Sequence, residues 1–245
     1  MIAKVLLGPV LLWQGRRVRA TALRLPEATG PRAAPGAALR LLIVGDSSAA
    51  GVGAAHQDEA LAGQLARVLA ARLGQPVGWQ LVAASGHRSA QALAALEQAD
   101  VAPADVLITA LGVNDVVEQV RHAETLAALD RIHALASARA GVRVCIHCAA
   151  PPMHRFPLLP QPLRWFFGRQ AARLNAALAR ALHGQPHRHL LHLPEAMQRD
   201  AARLMAADGF HPNPAGYALW AEALAHRLMQ EHRRLGLPGP NHSRT

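Results

Sequence analysis

Leu41-Leu42-Ile43-Val44-Gly45-Asp46-Ser47-Ser48 is four branched apolar residues that stop at a glycine and open into a short polar loop. A run this short, closed by a turn residue, has the pattern of a strand buried on both faces. Leu61, Leu65, Val68, Leu69 and Leu73 follow at helical spacing and stop at Gly74. The alternation then repeats, with strands expected at 77–83, 106–110, 142–147 and 189–193. Helices are expected near 90–98, around Leu126, Leu129, Ile132 and Ala136, and at 171–182. A last helix has Asn213 placed to cap it and Pro214 in its first turn, with Tyr217, Trp220, Leu224 and Leu228 on one face. Regular strand–helix alternation means parallel strands joined by right-handed crossovers, with helices on both sides of one sheet. The fold class is α/β, a three-layer α/β/α arrangement in one domain.

Upstream of this unit the chain is different in kind. Residues 1–38 read as an N-terminal apolar and basic arm with a linker, 39–235 as the folded domain and 236–245 as a tail. The arm opens on a short apolar run through Trp13, then meets Arg16, Arg17 and Arg19. Those charges argue against a cleaved signal peptide, and the run is shorter than the ~18 apolar residues of a spanning helix. Three readings stay open for it: a helix packed on the domain, an interfacial segment on an anionic membrane, or an uncleaved anchor. Residues 26–38, rich in Pro, Gly and Ala, read as a linker or surface arm.

The whole chain is 51% apolar and 17% charged, which excludes a disordered chain. Its formal charge is +10, almost all of it arginine, since Lys4 is the sole lysine. The arginines are scattered over helix-like segments with no nucleic-acid motif, so no nucleic-acid partner is expected. Cys145 and Cys148 lie three apart on an expected strand and face opposite ways, which predicts buried free thiols and no shared metal. Nothing here calls for an oxidising compartment. The expected location is cytoplasmic, with the inner membrane surface of a bacterium as the other possibility.

In an open parallel sheet, function gathers beyond the carboxyl ends of the strands. Four loops there carry polar chemistry: 45–53 with Ser47, 84–89 with Gly86, 111–115 with Asn114, and 208–213 with Asp208 and His211. No lysine accompanies the glycines of the first loop, so the pattern of a phosphate-binding loop is absent, as is the spacing of a dinucleotide fingerprint. No cofactor and no metal are expected. A serine hydroxyl attacks an acyl carbon only when a base removes its proton, which is a role for His211. Asp208 would fix the tautomer of that histidine and stabilise its cation. The N–H groups of Ser47 and Gly86 and the side-chain amide of Asn114 would receive the oxyanion. Asp46 and Asp115 read as acceptors that brace the loops.

Gly-Asp-Ser with a glycine four residues after the serine, then Gly86, Gly-x-Asn-Asp and Asp-x-x-His-Pro, in that order, resembles the SGNH/GDSL hydrolase superfamily. The resemblance spans about Leu41 to Leu228. It implies a flavodoxin-like sheet of five parallel strands and metal-free hydrolysis of esters or thioesters. Ser48 departs from the leucine in the family's name. The arm and the Asp-Gly-Phe-His-Pro-Asn ending are also similar to bacterial members near lysophospholipase-like esterases and long-chain N-acyl amino acid synthases.

The expected function is hydrolysis of small or lipid-like acyl esters through an acyl-Ser47 intermediate. The alternatives are acyl transfer or thioester hydrolysis by the same triad, or a non-catalytic membrane-surface module using the arm, which is also the candidate for peripheral membrane contact. His87 beside Gly86 either lines the site or does not. His183, His187, His189 and His192 read as solvated or edge histidines. The five prolines and the aromatics of 151–168 read as a long irregular insertion, with Phe156 to Phe167 serving either as core or as a mobile cover over an acyl pocket.

Overall fold

Leu41 and Ile43 point into one apolar layer and Leu42 and Val44 into the other, and all four are fully excluded from solvent. They sit at the centre of the computed structural model, which describes residues 2–37 and 39–235. The tail expected at 236–245 lies outside the described residues. In chain order the first elements are α1 (Ile2–Thr21), β1 (Ala33–Ala34), β2 (Arg40–Gly45), α2 (Leu61–Leu73), β3 (Gly78–Ala83), α3 (Ser89–Gln98) and β4 (Val106–Ala110). Then come α4 (Val113–Val117), α5 (His122–Ala140), β5 (Val144–Cys148), a 3-10 turn (Met153–Arg155), α6 (Leu163–Ala181) and β6 (Arg188–Leu191). The chain ends in α7 (Glu195–Arg199), α8 (Ala201–Leu204) and α9 (Pro214–Leu235).

The sheet runs β1-β3-β2-β4-β5-β6. Strands β2 to β6 pair in parallel, with Leu41 opposite both Trp79 and Val106. They reproduce the flavodoxin-like order, in which the chain starts in the middle and builds outward in both directions. The expected five strands become six, because β1 adds antiparallel to the edge of β3. This strand is Ala33-Ala34 alone, too short for any alternation to mark it, and it covers an edge that would otherwise be open.

Helices α2 and α9 cover one face through Leu65, Leu69, Leu224 and Leu228. Helices α3 and α5 cover the other through Leu93, Leu96, Leu129 and Ile132, with Leu178 of α6. Cys148 packs in the first layer and Cys145 in the second, and both are free and buried, as strand alternation requires. Asn213 Oδ1 accepts the N–H of Gly216 at 3.0 Å, which caps α9 ahead of Pro214.

The 151–168 stretch is less irregular than expected. Helix α6 begins at Leu163, eight residues before the expected start, directly after Pro162. Phe156, Leu159, Leu163 and Phe167 are buried in a third apolar cluster with Val113 and Leu174, so the aromatic residues at both ends of the insertion are core. Leu11 and Val18 of α1 pack against the same cluster. The arm is therefore a helix seated on the domain. Gln14 fastens it, its Nε2 donating to Gln161 O at 2.6 Å while its Oε1 accepts from Leu163 N at 3.1 Å. Among the described residues no helix is long and apolar enough to cross a membrane.

Candidate active site

The loop after β2 is built to present one side chain. Asp46 N donates to Ala110 O at the end of β4 (3.1 Å), and Asp46 Oδ1 accepts from Ser48 N (3.0 Å). These bonds hold the backbone on both sides of Ser47. Opposite it, the loop before α9 delivers His211. The Ser47 hydroxyl lies 2.8 Å from His211 Nε2, and His211 Nδ1 lies 2.6 Å from Asp208 Oδ2. A carboxylate only accepts, so Nδ1 carries the proton and Nε2 presents its lone pair to the serine.

Asp208 is buried, and burial alone would raise its pKa. The ring of His211 and the N–H groups of His211 and Phe210 outweigh that effect and hold the carboxyl below its ordinary range. It therefore stays ionised at neutral pH, as an acceptor facing an imidazole must be. Asp46 goes the other way. Fully enclosed and without a cation bonded to it, its carboxyl is pushed up to about 6 by burial. Asp115 accepts from Ser89 N, Ser89 Oγ and Thr125 Oγ1, so it ties α4 to α3 and α5. Both aspartates brace loops.

The remaining expected donors converge from two further loops. Gly86 takes φ +83, open to glycine and strained for other residues, and no atom lies within 4 Å of where a Cβ would be. Among the described residues, no acceptor is bonded to the N–H of Ser47 or Gly86. Asn114 stands in α4 with one Nδ2 hydrogen given to His87 O at 2.9 Å, which leaves the second free. His87 thus contributes through its carbonyl, and its side chain is not part of the cavity wall.

That cavity, of about 650 Å3, opens beside His211, Asp208 and Asn114. One wall is α1, through Gly8, Leu11, Gly15 and Val18, and the other is Leu158, Leu163 and Phe166. Phe210 stands between Phe156 and His211, edge-on to both at centroid distances of 4.9 and 5.1 Å. It also lines a tighter cavity of about 60 Å3 beside Ser48 and Pro212. Neither Phe210 nor the α1 wall was identified from the motifs. The spacing of Leu11, Gln14 and Val18, one helical face, is the signal that marks α1 as packed.

The four C-terminal histidines do not converge. His189 pairs with Glu231 at 3.2 Å on α9, and among the described residues no three His, Cys, Asp or Glu side chains are placed to hold a metal ion.

The model of the GDSL-like lipase/acylhydrolase family matches residues 43–219 of this chain. No curated protein sequence matches it. Among solved structures, the lipase Lip_vut3 from a goat rumen metagenome superposes with a TM-score of 0.61 at 16% identity, covering 77% of this chain and 96% of that one. The psychrotrophic esterase EstA from Pseudoalteromonas sp. superposes with a TM-score of 0.53 at 19% identity, covering 79% and 98%. A lipase/acylhydrolase from Enterococcus faecalis gives 0.53 at 19% identity, covering 79% and 96%.

Proposed function

Because this chain belongs to the GDSL-like lipase/acylhydrolase family, and is thereby a serine ester hydrolase, we propose that Ser47 is its nucleophile and that it cleaves esters of long acyl chains. The observation that carries the proposal is the unbroken line Asp208–His211–Ser47 ending at the mouth of an apolar cavity. A volume of about 650 Å3 lies within the range of small-molecule sites, and its lining is mostly Leu, Val, Phe, Ala and Gly, with Asn114, Asp208 and His211 at one end and Arg16, Arg19 and Gln119 as its other polar groups.

As Ser47 Oγ bonds to the ester carbon, its proton passes to His211 Nε2, and the carbonyl electrons move to oxygen. The oxyanion sits against the N–H groups of Ser47 and Gly86 and the free Nδ2 hydrogen of Asn114. Each such donor is worth roughly 3–4 kcal/mol of barrier. Collapse breaks the bond to the alcohol, which leaves with the proton from His211. Water then attacks the acyl-Ser47 ester, giving its proton to the same nitrogen, and the acid departs as Ser47 is regenerated. Asp208 stays ionised throughout and stabilises the imidazolium.

The test is hydrolysis of p-nitrophenyl esters from acetyl to palmitoyl by the wild type and Ser47→Ala. We expect a preference for the longer chains and a loss of at least about 10³-fold in the variant. Equal rates in the two proteins would overturn the assignment. Product that appears only with an added amine or alcohol acceptor would replace hydrolysis by acyl transfer.

A further inference from the structure

Five large apolar side chains are exposed among the described residues: Val10, Leu12, Trp13, Leu23 and Trp165. Four lie on α1 or just beyond it, and the fifth is on α6, where Gln14 fastens α1 through Gln161 and Leu163. Leu12 and Trp13 are 65% and 58% exposed, a high figure for side chains of that size. On a helical projection Leu11, Gln14 and Val18 form the stripe that meets the protein, Leu12 and Arg16 flank it on the side of the cavity, and Val10, Trp13 and Arg17 flank it on the other side. The inner stripe of α1 is therefore spent on the protein, and the rest of its outer side, from the cavity edge round to Trp13, is exposed, apolar and cationic.

The charge on this face has one sign. Residues 1–26 contain no Asp or Glu, and neither does α6. Arg19 pairs with Glu118, but Arg16, Arg17, Arg24 and Arg169 have no carboxylate partner among the described residues. Arg17 lies over the Trp13 ring at 5.4 Å and Arg169 over Trp165 at 5.1 Å. Tryptophan beside arginine suits the boundary where acyl chains meet headgroups. Protein interfaces, by contrast, keep unpaired charge out of their centres.

Resting on the reading of the cavity as an acyl site, we infer that the outer face of α1, with Trp165, docks on an anionic lipid surface from which the substrate enters. The cavity begins on that same face, since Leu12, Arg16 and Leu23 line its rim. An acyl chain leaving a bilayer would pass these residues to reach the ester-cleaving end without crossing water. The arginines would lie at the level of phosphate groups, and the indoles just beneath.

The test is sedimentation of the full chain with vesicles of phosphatidylcholine alone or mixed with phosphatidylglycerol, at low and high salt, for wild type and Trp13→Asp/Arg17→Glu. Neither substituted residue lines the cavity. We expect wild type to bind the anionic vesicles, to release in high salt, and to bind about tenfold or more weakly in the double variant. Hydrolysis of a short water-soluble ester should be retained, which shows that the variant is folded. Wild type that ignores anionic vesicles would overturn the docking inference, as would binding that the double substitution leaves intact. A dimer that the substitutions dissolve would assign the face to a second copy instead. Loss of soluble-ester hydrolysis by Ser47→Ala is read separately, so the two proposals fail independently.

Discussion

Asp46 and Asp208 flank the reacting pair as two buried carboxyls with opposite surroundings. Asp208 gains three hydrogen bonds, and its folded form prefers to be ionised. It contributes stability above the pKa of an unfolded aspartate and loses that contribution as pH falls through its lower folded value. Asp46 is enclosed, and its pKa of about 6 lies above the unfolded value. It is therefore most favourable when protonated, and stability falls from about pH 4 to about pH 6, the range in which the unfolded carboxyl ionises and the buried one does not. Asp46→Asn keeps an acceptor for Ser48 N and removes that cost, so urea midpoints should lose this decline, with a gain on the order of 2–3 kcal/mol at neutral pH. Parallel pH profiles for variant and wild type would contradict this account of Asp46. The convergence of the loops that carry Ser47, Asn114, Asp208 and His211 was legible in the sequence because strand ends and glycines mark them. Phe210 was not, since an aromatic residue between Asp208 and His211 carries no sign of the Phe156 ring it meets.

The distances within the Ser47–His211–Asp208 set depend on how two loops touch. Gly53, at φ +97, lies where an added Cβ would stand 2.2 Å from Pro212 O, next to His211. One residue earlier, Val52 O accepts the Tyr217 hydroxyl at 2.7 Å, which pins the Ser47 loop to α9. Gly53→Ala should thus cost about 2–4 kcal/mol from strain and overlap. It should also lower kcat by about 10²-fold at temperatures where the fold persists, because a displacement near 1 Å is enough for such a loss. A lower Tm with unchanged kcat would show that this contact is structural only. The strands and helices of the domain were legible from their periodicity, since each buries a regular face. The exceptions have physical causes: α4, α7 and α8, of four or five residues each, are too short to show a helical period. A two-residue β1 has no period, and the start of α6 is masked by Pro160, Pro162 and an interior glycine. That glycine, Gly168, packs on His154, where a Cβ would fall 2.5 Å from the His154 Cβ.

At the scale of the molecule, the domain holds the Ser47–His211–Asp208 set and α1 walls the cavity beside it, which the proposed function assigns to the acyl chain. Gly15 faces the cavity, and nothing lies within 4 Å of the position of an added Cβ. Gly15→Phe should fill that space without clash and favour the helix. The chain-length optimum should then move to shorter esters, with the largest fall in kcat/KM for palmitoyl; an unmoved optimum would place the acyl chain elsewhere. The arm's role was the least legible part of the chain, since an apolar and basic segment has the same composition whether it packs, floats or anchors. Its packing depends on partners 147 and 149 residues away in sequence. The central claim, that Asp208 and His211 activate Ser47, is tested most directly by covalent capture with a fluorophosphonate, in which Ser47 Oγ displaces fluoride from phosphorus. Intact mass and peptide mapping should show a single adduct on Ser47, formed much more slowly in Asp208→Asn. An adduct on another residue, or labelling of Ser47 at the same rate without the Asp208 carboxylate, would contradict it.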